Sequence, residues 1–198
     1  MSSAMNRILG LSAAFGLYDW WARRNLEQVH DTLIGLADLR GNTEILDVGC
    51  GTGILSSRLA ETSENPIVRG LDISPRMICV ARKRGNRRGL SVEYQVGTVT
   101  RLPYPDEPFD VVFSCLLFHL LASSEKEPAF REILRVLRPA GRYVCAEFEM
   151  YPVGFPGRKL AEYPGDLIDA VGFRIQSQFM GPFITRRRPV VYRVLVKP

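Results

Sequence analysis

The residues best placed to do chemistry are three glycines and two acids. Gly49, Gly51 and Gly53 stand two apart, directly after the apolar run Ile45-Leu46-Asp47-Val48. An apolar run that ends in an acid and then in glycines reads as a buried strand that stops, turns tightly and opens a helix. Glycine has no Cβ and tolerates positive φ, so a ligand can approach the main chain closely at such a turn. A second acid, Asp72, falls near the end of the next apolar run, Ile67 to Ile73. In an open α/β sheet an acid at that place can accept both hydroxyls of a ribose. The pattern predicts a cofactor pocket at the C-terminal ends of two strands.

Two common cofactors fail on spacing. A dinucleotide fingerprint needs G-x-G-x-x-G, and Ile54 occupies the third position. A P-loop needs Lys-Ser/Thr after the glycines, which is absent. A ligand with a ribose and no required pyrophosphate suits G-x-G-x-G plus Asp72. No metal is expected. Cys50, Cys79, Cys115 and Cys145 lack C-x-x-C spacing, and the only histidines are His30 and His119. Lone cysteines in apolar strands read as small core residues in a reducing cytosol, Cys115 among them, and a cytoplasmic location is expected. His119 follows the fourth apolar strand, at the mouth of the expected pocket. It is read either as a substrate-side polar group or base, or as a satisfied structural histidine. Glu147 and Glu149 share one face of the fifth strand by period 2, facing either the pocket or solvent.

The elements that must position these groups follow in order. Residues 8–22 carry Ile8, Leu11, Phe15, Tyr18 and Ala22 at helical spacing, with Trp20 and Trp21 beside them. Leu26, Val29, Leu33 and Leu36 form a second helical stripe. Residues 1–40 are therefore read as an N-terminal helical cap on a catalytic core of residues 41–198, one domain overall. The cap covers the core, closes over substrate, or lies on a membrane surface, where Trp and Arg are favoured. Ser74-Pro75 is an N-cap with proline at N1, opening a helix that turns Met77, Ile78 and Ala81 inward. Arg82, Lys83, Arg84, Arg87 and Arg88 crowd the far end of that helix, as a solvated face complementing the dipole or as an anion or RNA contact. Strands are expected over Ser91–Val96, Val111–Cys115 and Arg142–Glu147, with Phe109-Asp110 leading into the fourth. Ser124 and Glu127 have capping-box spacing before a helix that buries Phe130, Ile133, Leu134 and Leu137 and ends at Pro139-Ala140-Gly141. A short helix near 160–171, interrupted at Pro164-Gly165, precedes strands at Phe173–Met180 and Val190–Val196. Five βα units and a terminal strand pair predict an α/β, Rossmann-like, doubly wound sheet of seven strands, mostly parallel, with an antiparallel last strand.

The bulk numbers agree with a soluble globular chain. It has 198 residues and a net charge of +5, which permits an anionic partner without demanding one. No apolar run reaches the roughly 20 residues that span a bilayer, and no signal peptide is expected.

Five segments in this order resemble the class I S-adenosylmethionine-dependent methyltransferases, above all the group that includes ubiquinone/menaquinone C-methyltransferases and small phospholipid N-methyltransferases. They are Leu46 to Gly53; Gly70-Leu71-Asp72-Ile73-Ser74 with Met77 and Ala81; Leu102-Pro103 with Phe109-Asp110; Ser114 to Leu121; and Arg135 to Gly141. The resemblance implies S-adenosyl-L-methionine as cofactor. It places Asp47 and the backbone of Gly49 and Gly51 at the methionine end, with Cys50 and Gly53 in the same loop. It puts Asp72 on the ribose, Ile73 on the adenine with Met77 close by, Thr98 and Val99 beside the adenine amino group, and Ser114 and its neighbours near the cofactor's amino group. The family usually carries an acid where Thr98 stands, which implies a main-chain contact there. A Tyr-Asp pair occurs upstream in related enzymes, so Tyr18 and Asp19 are candidates to close over the site, Tyr18 in a catalytic role.

The expected partner is a small-molecule methyl acceptor, amphipathic or anionic, such as a lipid or quinone precursor. Residues 1–30, Tyr151–Arg158 and the loop 181–189 would select it. Nucleic acid is disfavoured: Ser114-Cys115-Leu116-Leu117-Phe118 replaces the Asn/Asp-Pro-Pro-Tyr of adenine and cytosine amino-methylation, and no Pro-Cys nucleophile appears. Two alternatives remain beside the main reading, a cofactor-binding protein without turnover and an RNA-directed methyltransferase. The sequence leaves the oligomeric state open.

Overall fold

A computed structural model describes residues 20, 22, 24–62, 66–148, 165–185 and 188–198. Seven strands form one sheet in the order β3-β2-β1-β4-β5-β7-β6. They are β1 (Glu44–Val48), β2 (Ile67–Asp72), β3 (Val92–Val96), β4 (Phe109–Cys115), β5 (Leu137–Phe148), β6 (Arg174–Thr185) and β7 (Arg188–Val196). The first five pair in parallel, and β7 runs antiparallel between β5 and β6. The predicted class holds, and the last strand is an insertion into the sheet rather than an edge.

Among the described residues five α-helices cover this sheet: α1 (Glu27–Leu36), α2 (Ile54–Leu59), α3 (Pro75–Arg88), α4 (Ser123–Val136) and α5 (Gly165–Val171). Strand periodicity divides the core into two layers. On one face Ile45, Phe113, Val144, Ala146 and Tyr192 pack with Leu55 and Leu59 of α2 and with Leu26, Val29 and Leu33 of the predicted second stripe. On the other face Leu46, Val112 and Tyr143 pack with Phe130 and Ile133 of α4 and with Ile168 of α5. The residues around α1 thus belong to the sheet's own apolar layer.

Local signals were read well, with two shifts. Ser74 caps α3 as expected, its Oγ accepting from the Met77 N–H at 3.4 Å with Pro75 at N1. The α4 cap falls two residues earlier than Ser124: the Glu125 carboxylate accepts from the Ala122 N–H at 2.9 Å. An acid three residues after the cap works there because it meets an otherwise unpaired amide, whatever side chain the cap residue carries. That helix also ends before Pro139, at Val136, because Leu137 already pairs with Phe109 as the first residue of β5. No helix among the described residues is long and apolar enough to cross a membrane.

Candidate active site

The glycine loop follows β1 and turns into α2 through three left-handed residues, Gly49, Gly51 and Gly53, at φ of 72°, 55° and 74°. Side chains are strained there, so the glycines are required by the turn itself. Gly49 is also needed for space, since a Cβ on it would lie 2.8 Å from Leu117 Cδ1 in the segment after β4. The loop is pinned from several sides. Leu71 O at the end of β2 accepts from both Gly49 N–H (2.7 Å) and Cys50 N–H (3.0 Å). Asp72 accepts from Gly51 N–H at 2.9 Å and from Ser74 N–H at 2.8 Å. Arg84 on α3 donates to Thr52 O at 2.8 Å.

Two carboxylates converge beneath this loop. Asp47 is buried and accepts from Ser56 Oγ of α2 at 2.6 Å. Burial pushes its acid up to about 7; the Ser56 hydrogen bond opposes the rise and nearby Asp72 adds to it. Asp72 is also raised by burial, against the two amides it accepts from. Two buried acids brought together in this way suit positive charge or hydroxyl donors. Beside Asp72, Ile73 is 55% exposed, a bare apolar side chain at the rim suited to a flat ring. Met77 is buried one turn into α3.

A hollow opens between the loop and the helical segment before it. Ala22, Leu26 and His30 line one wall; Asp47, residues 49–52, Ile54, Leu55 and Cys115 line the other. Cys115, expected in the core, packs against the α2-side apolar layer and also lines this hollow. Ser114, one residue earlier on β4, turns to the opposite layer, where its hydroxyl lies 2.6 Å from Tyr143 Oη. The Ser114 hydroxyl is thus engaged in that layer, and by strand alternation its neighbour Cys115 is the β4 side chain on the loop side. Val99 is likewise buried in the α4-side core, and Thr98 Oγ1 lies 2.8 Å from Thr100 Oγ1, so these two residues offer a ligand main chain rather than side chain. A second hollow, lined by Asp110, Arg138, Arg142 and Gln176, lies at the opposite end of the parallel strands, away from these groups.

His119 stands in a single 3-10 turn, Phe118–Leu120, after β4. Its Nδ1 lies 3.4 Å from Glu147 Oε2, and its ring meets Phe148 edge-on at 5.1 Å between centroids. Glu147 is 1% exposed and accepts from Leu117 N–H (2.8 Å) and Phe118 N–H (2.9 Å), so one carboxylate at the end of β5 fixes the whole turn. Of the two expected orientations, solvent is excluded: Glu147 is buried with its carboxylate directed into the 117–119 turn. Period 2 could not separate it from Glu149, which lies outside the described residues, as do Tyr18 and Asp19.

Three further residues carry no site signal in the sequence. Ser56 is an ordinary polar residue in its segment. Arg84 sat in a basic cluster read as one solvated or anion-binding face. In fact Arg84 is buried on Thr52 O, Arg82 donates to Tyr94 O at 2.6 Å, and Arg88 pairs with Glu61. His30 was counted only against a zinc site. Among the described residues no group of His, Cys, Asp and Glu could hold a metal ion.

A family model described as a methyltransferase domain matches residues 45–141, the span from β1 into β5. The chain is 34% identical over 175 residues to the demethylmenaquinone methyltransferase of Thermus thermophilus, covering 88% of this chain and 73% of that protein. It is 32% identical over 131 residues to the phosphoethanolamine N-methyltransferase of Triticum aestivum, covering 66% of this chain and only 25% of that longer protein. A solved structure of a SAM-dependent methyltransferase from Aquifex aeolicus shares the fold with a TM-score of 0.72 at 21% identity, over 88% of this chain and 93% of that one. The three left-handed glycines, the buried acid before them and the second acid at the end of β2 fit the ribose and amino-acid end of S-adenosylmethionine, and with these matches the chain belongs to the S-adenosylmethionine-dependent methyltransferases.

Proposed function

We propose that this chain transfers a methyl group from S-adenosylmethionine to a small amphipathic acceptor of lipid or quinone-precursor type. The observation that carries the donor side is the convergence of Asp47, Asp72 and the left-handed glycine loop at the ends of two adjacent strands. S-adenosylmethionine, when bound, supplies a methyl on a positively charged sulfur, an already activated leaving group. The protein's part is then alignment and exclusion of water. Asp47, with the loop carbonyls, faces the ammonium of the amino-acid end. Asp72 accepts from the ribose hydroxyls while it holds the Gly51 amide. Ile73 and Met77 offer apolar contact to the adenine, and the main chain of Thr98 and Val99 its amino group.

Acceptor chemistry belongs to the ends of β4 and β5. Glu147 holds the 117–118 amides, and with Nδ1–H of His119 directed at that carboxylate, Nε2 is left to accept a proton from the acceptor. The relatives act on demethylmenaquinone and phosphoethanolamine by name, both small molecules, and that supports a small acceptor here. Trp20 is 61% exposed with the Arg24 guanidinium 5.9 Å from its ring centroid, which suits a helix resting on a lipid surface to collect an amphipathic substrate. The basic end of α3 lends an RNA-directed reading little support, because Arg82, Arg84 and Arg88 are already engaged inside the domain. Residues 1–40 act as a cap within one domain in this reading.

The test is a cell-extract assay with S-adenosylmethionine carrying an isotope-labelled methyl group. Label in a solvent-extractable quinone or lipid product is expected. Label only in RNA or protein, or donor binding without transfer to any fraction, would overturn the acceptor assignment.

A further inference from the structure

His30 is buried on the α1 side of the hollow, 3% exposed, and its Nδ1 has no hydrogen-bond partner among the described residues. A buried polar nitrogen left unpaired destabilises a fold, so such a group calls for a reason. The opposite wall supplies one. The amides of Gly49 and Cys50 donate to Leu71 O, that of Gly51 to Asp72, and that of Gly53 to Cys50 O. Four amides of the glycine loop are therefore engaged inside the protein. On that wall the Asp47 carboxylate suits an ammonium and repels a carboxylate. An amino-acid end carries both groups. The remaining lining is largely apolar, with Ala22, Leu26, Ile54 and Leu55.

We propose that His30 is the positioning residue for the anionic end of the methyl donor: its ring N–H donates to the cofactor's carboxylate, opposite the acidic wall that receives the ammonium. This rests on the assignment of the hollow to the donor. Burial, with Arg58 nearby, pushes His30 down to about 4 against a smaller opposing effect of Asp31, so the ring is a neutral donor at neutral pH and adds no charge to the site. Its place on α1 also ties the helix to the ligand: a donor molecule held by His30 on one side and by Asp47 on the other bridges the cap and the glycine loop.

Calorimetry on the full chain with two probes tests this. S-adenosylhomocysteine has the amino-acid end; 5′-methylthioadenosine keeps the adenosine and the sulfur and lacks it. His30→Leu is expected to weaken S-adenosylhomocysteine roughly 10- to 100-fold, the loss of a hydrogen bond to a charged group. It should leave 5′-methylthioadenosine within about twofold and raise the melting temperature of the unligated protein, because the orphaned nitrogen is gone. His30→Asn, with an amide nitrogen near the place of Nδ1, should recover part of the lost affinity. Unchanged S-adenosylhomocysteine binding in His30→Leu overturns the proposal. Equal loss of both probes, or a lowered melting temperature, shows a packing role and overturns it too. A wild-type chain that binds neither probe overturns the donor assignment on which it stands, and so separates the two failures.

Discussion

Around β1 and β2 the groups proposed for the site come from short contiguous stretches: Asp47 to Gly53 in one turn, Asp72 to Ser74 in the next. Around β4 and β5 they come from separated places: His119 from a 3-10 turn, Glu147 from a strand 28 residues on, Cys115 from the strand before. The first half is held by main chain. Amides of the loop are tied to Leu71 O and Asp72, so its shape survives most side-chain changes. The second half is held by one side chain, because both amides of the 117–118 segment depend on Glu147. A donor shared across a family suits a backbone-built site; an acceptor that differs between relatives suits a side-chain-built one.

The difference can be broken experimentally, and the largest effect should be on turnover. His119→Ala should cut methyl transfer to the acceptor found in the extract assay by about 100-fold or more, as for loss of a general base. Calorimetry with S-adenosylhomocysteine should show no change in the same variant. Comparable loss of donor affinity would merge the two halves into one. Asp72→Ala should weaken S-adenosylhomocysteine by roughly 100-fold, since it removes two hydrogen bonds to ribose and the tether of Gly51. Affinity within a few-fold of wild type would remove Asp72 from the ribose. Glu147→Ala should lower the melting temperature by about 5 °C, since the Leu117 and Phe118 amides both lose the Oε1 they share, with donor affinity nearly unchanged. A large drop in donor affinity there would mean that the 117–118 segment supports the glycine loop through Leu117.

The smallest effect is a pH dependence. Asp47 has its folded acid constant raised to about 7 from an ordinary 3.8. Between those values the folded state holds a proton that the unfolded state has lost, so ionised Asp47 costs stability as pH rises from about 4 to 7. Asp47→Asn should therefore gain on wild type over that window in thermal melts of the unligated protein, by a few degrees at pH 8 and little at pH 4. Bound donor should erase the gain, because an ammonium stabilises the carboxylate. A difference independent of pH would mean that Asp47 is ionised at little cost.

Much of the donor half was legible because its requirements fall on neighbouring residues. Positive φ at three alternate positions leaves a signature of glycines, and a strand that ends in an acid leaves one of period and charge. Which side chain of β4 meets the loop was not legible, because an apolar run buried on both faces hides its own phase. Glu147 and His30 left no local mark, since what distinguishes them is burial against segments 30 and about 20 residues away in the chain. Orphaned nitrogens and shared carboxylates are properties of packing.

The position of β7 has a consequence for synthesis. Val190, Tyr192 and Val194 belong to the same apolar layer as Leu26, Val29 and Leu33. A ribosome makes α1 first and β7 more than 150 residues later. The parallel core from β1 to β5 can assemble while the surface beneath α1 is still incomplete. The helix that carries His30 then seats late, after β7, paired with β6, has docked on β5. Nascent chains arrested before residue 188 should hold a formed glycine loop beside an unsealed pocket wall, so donor binding would mark the final stage of maturation.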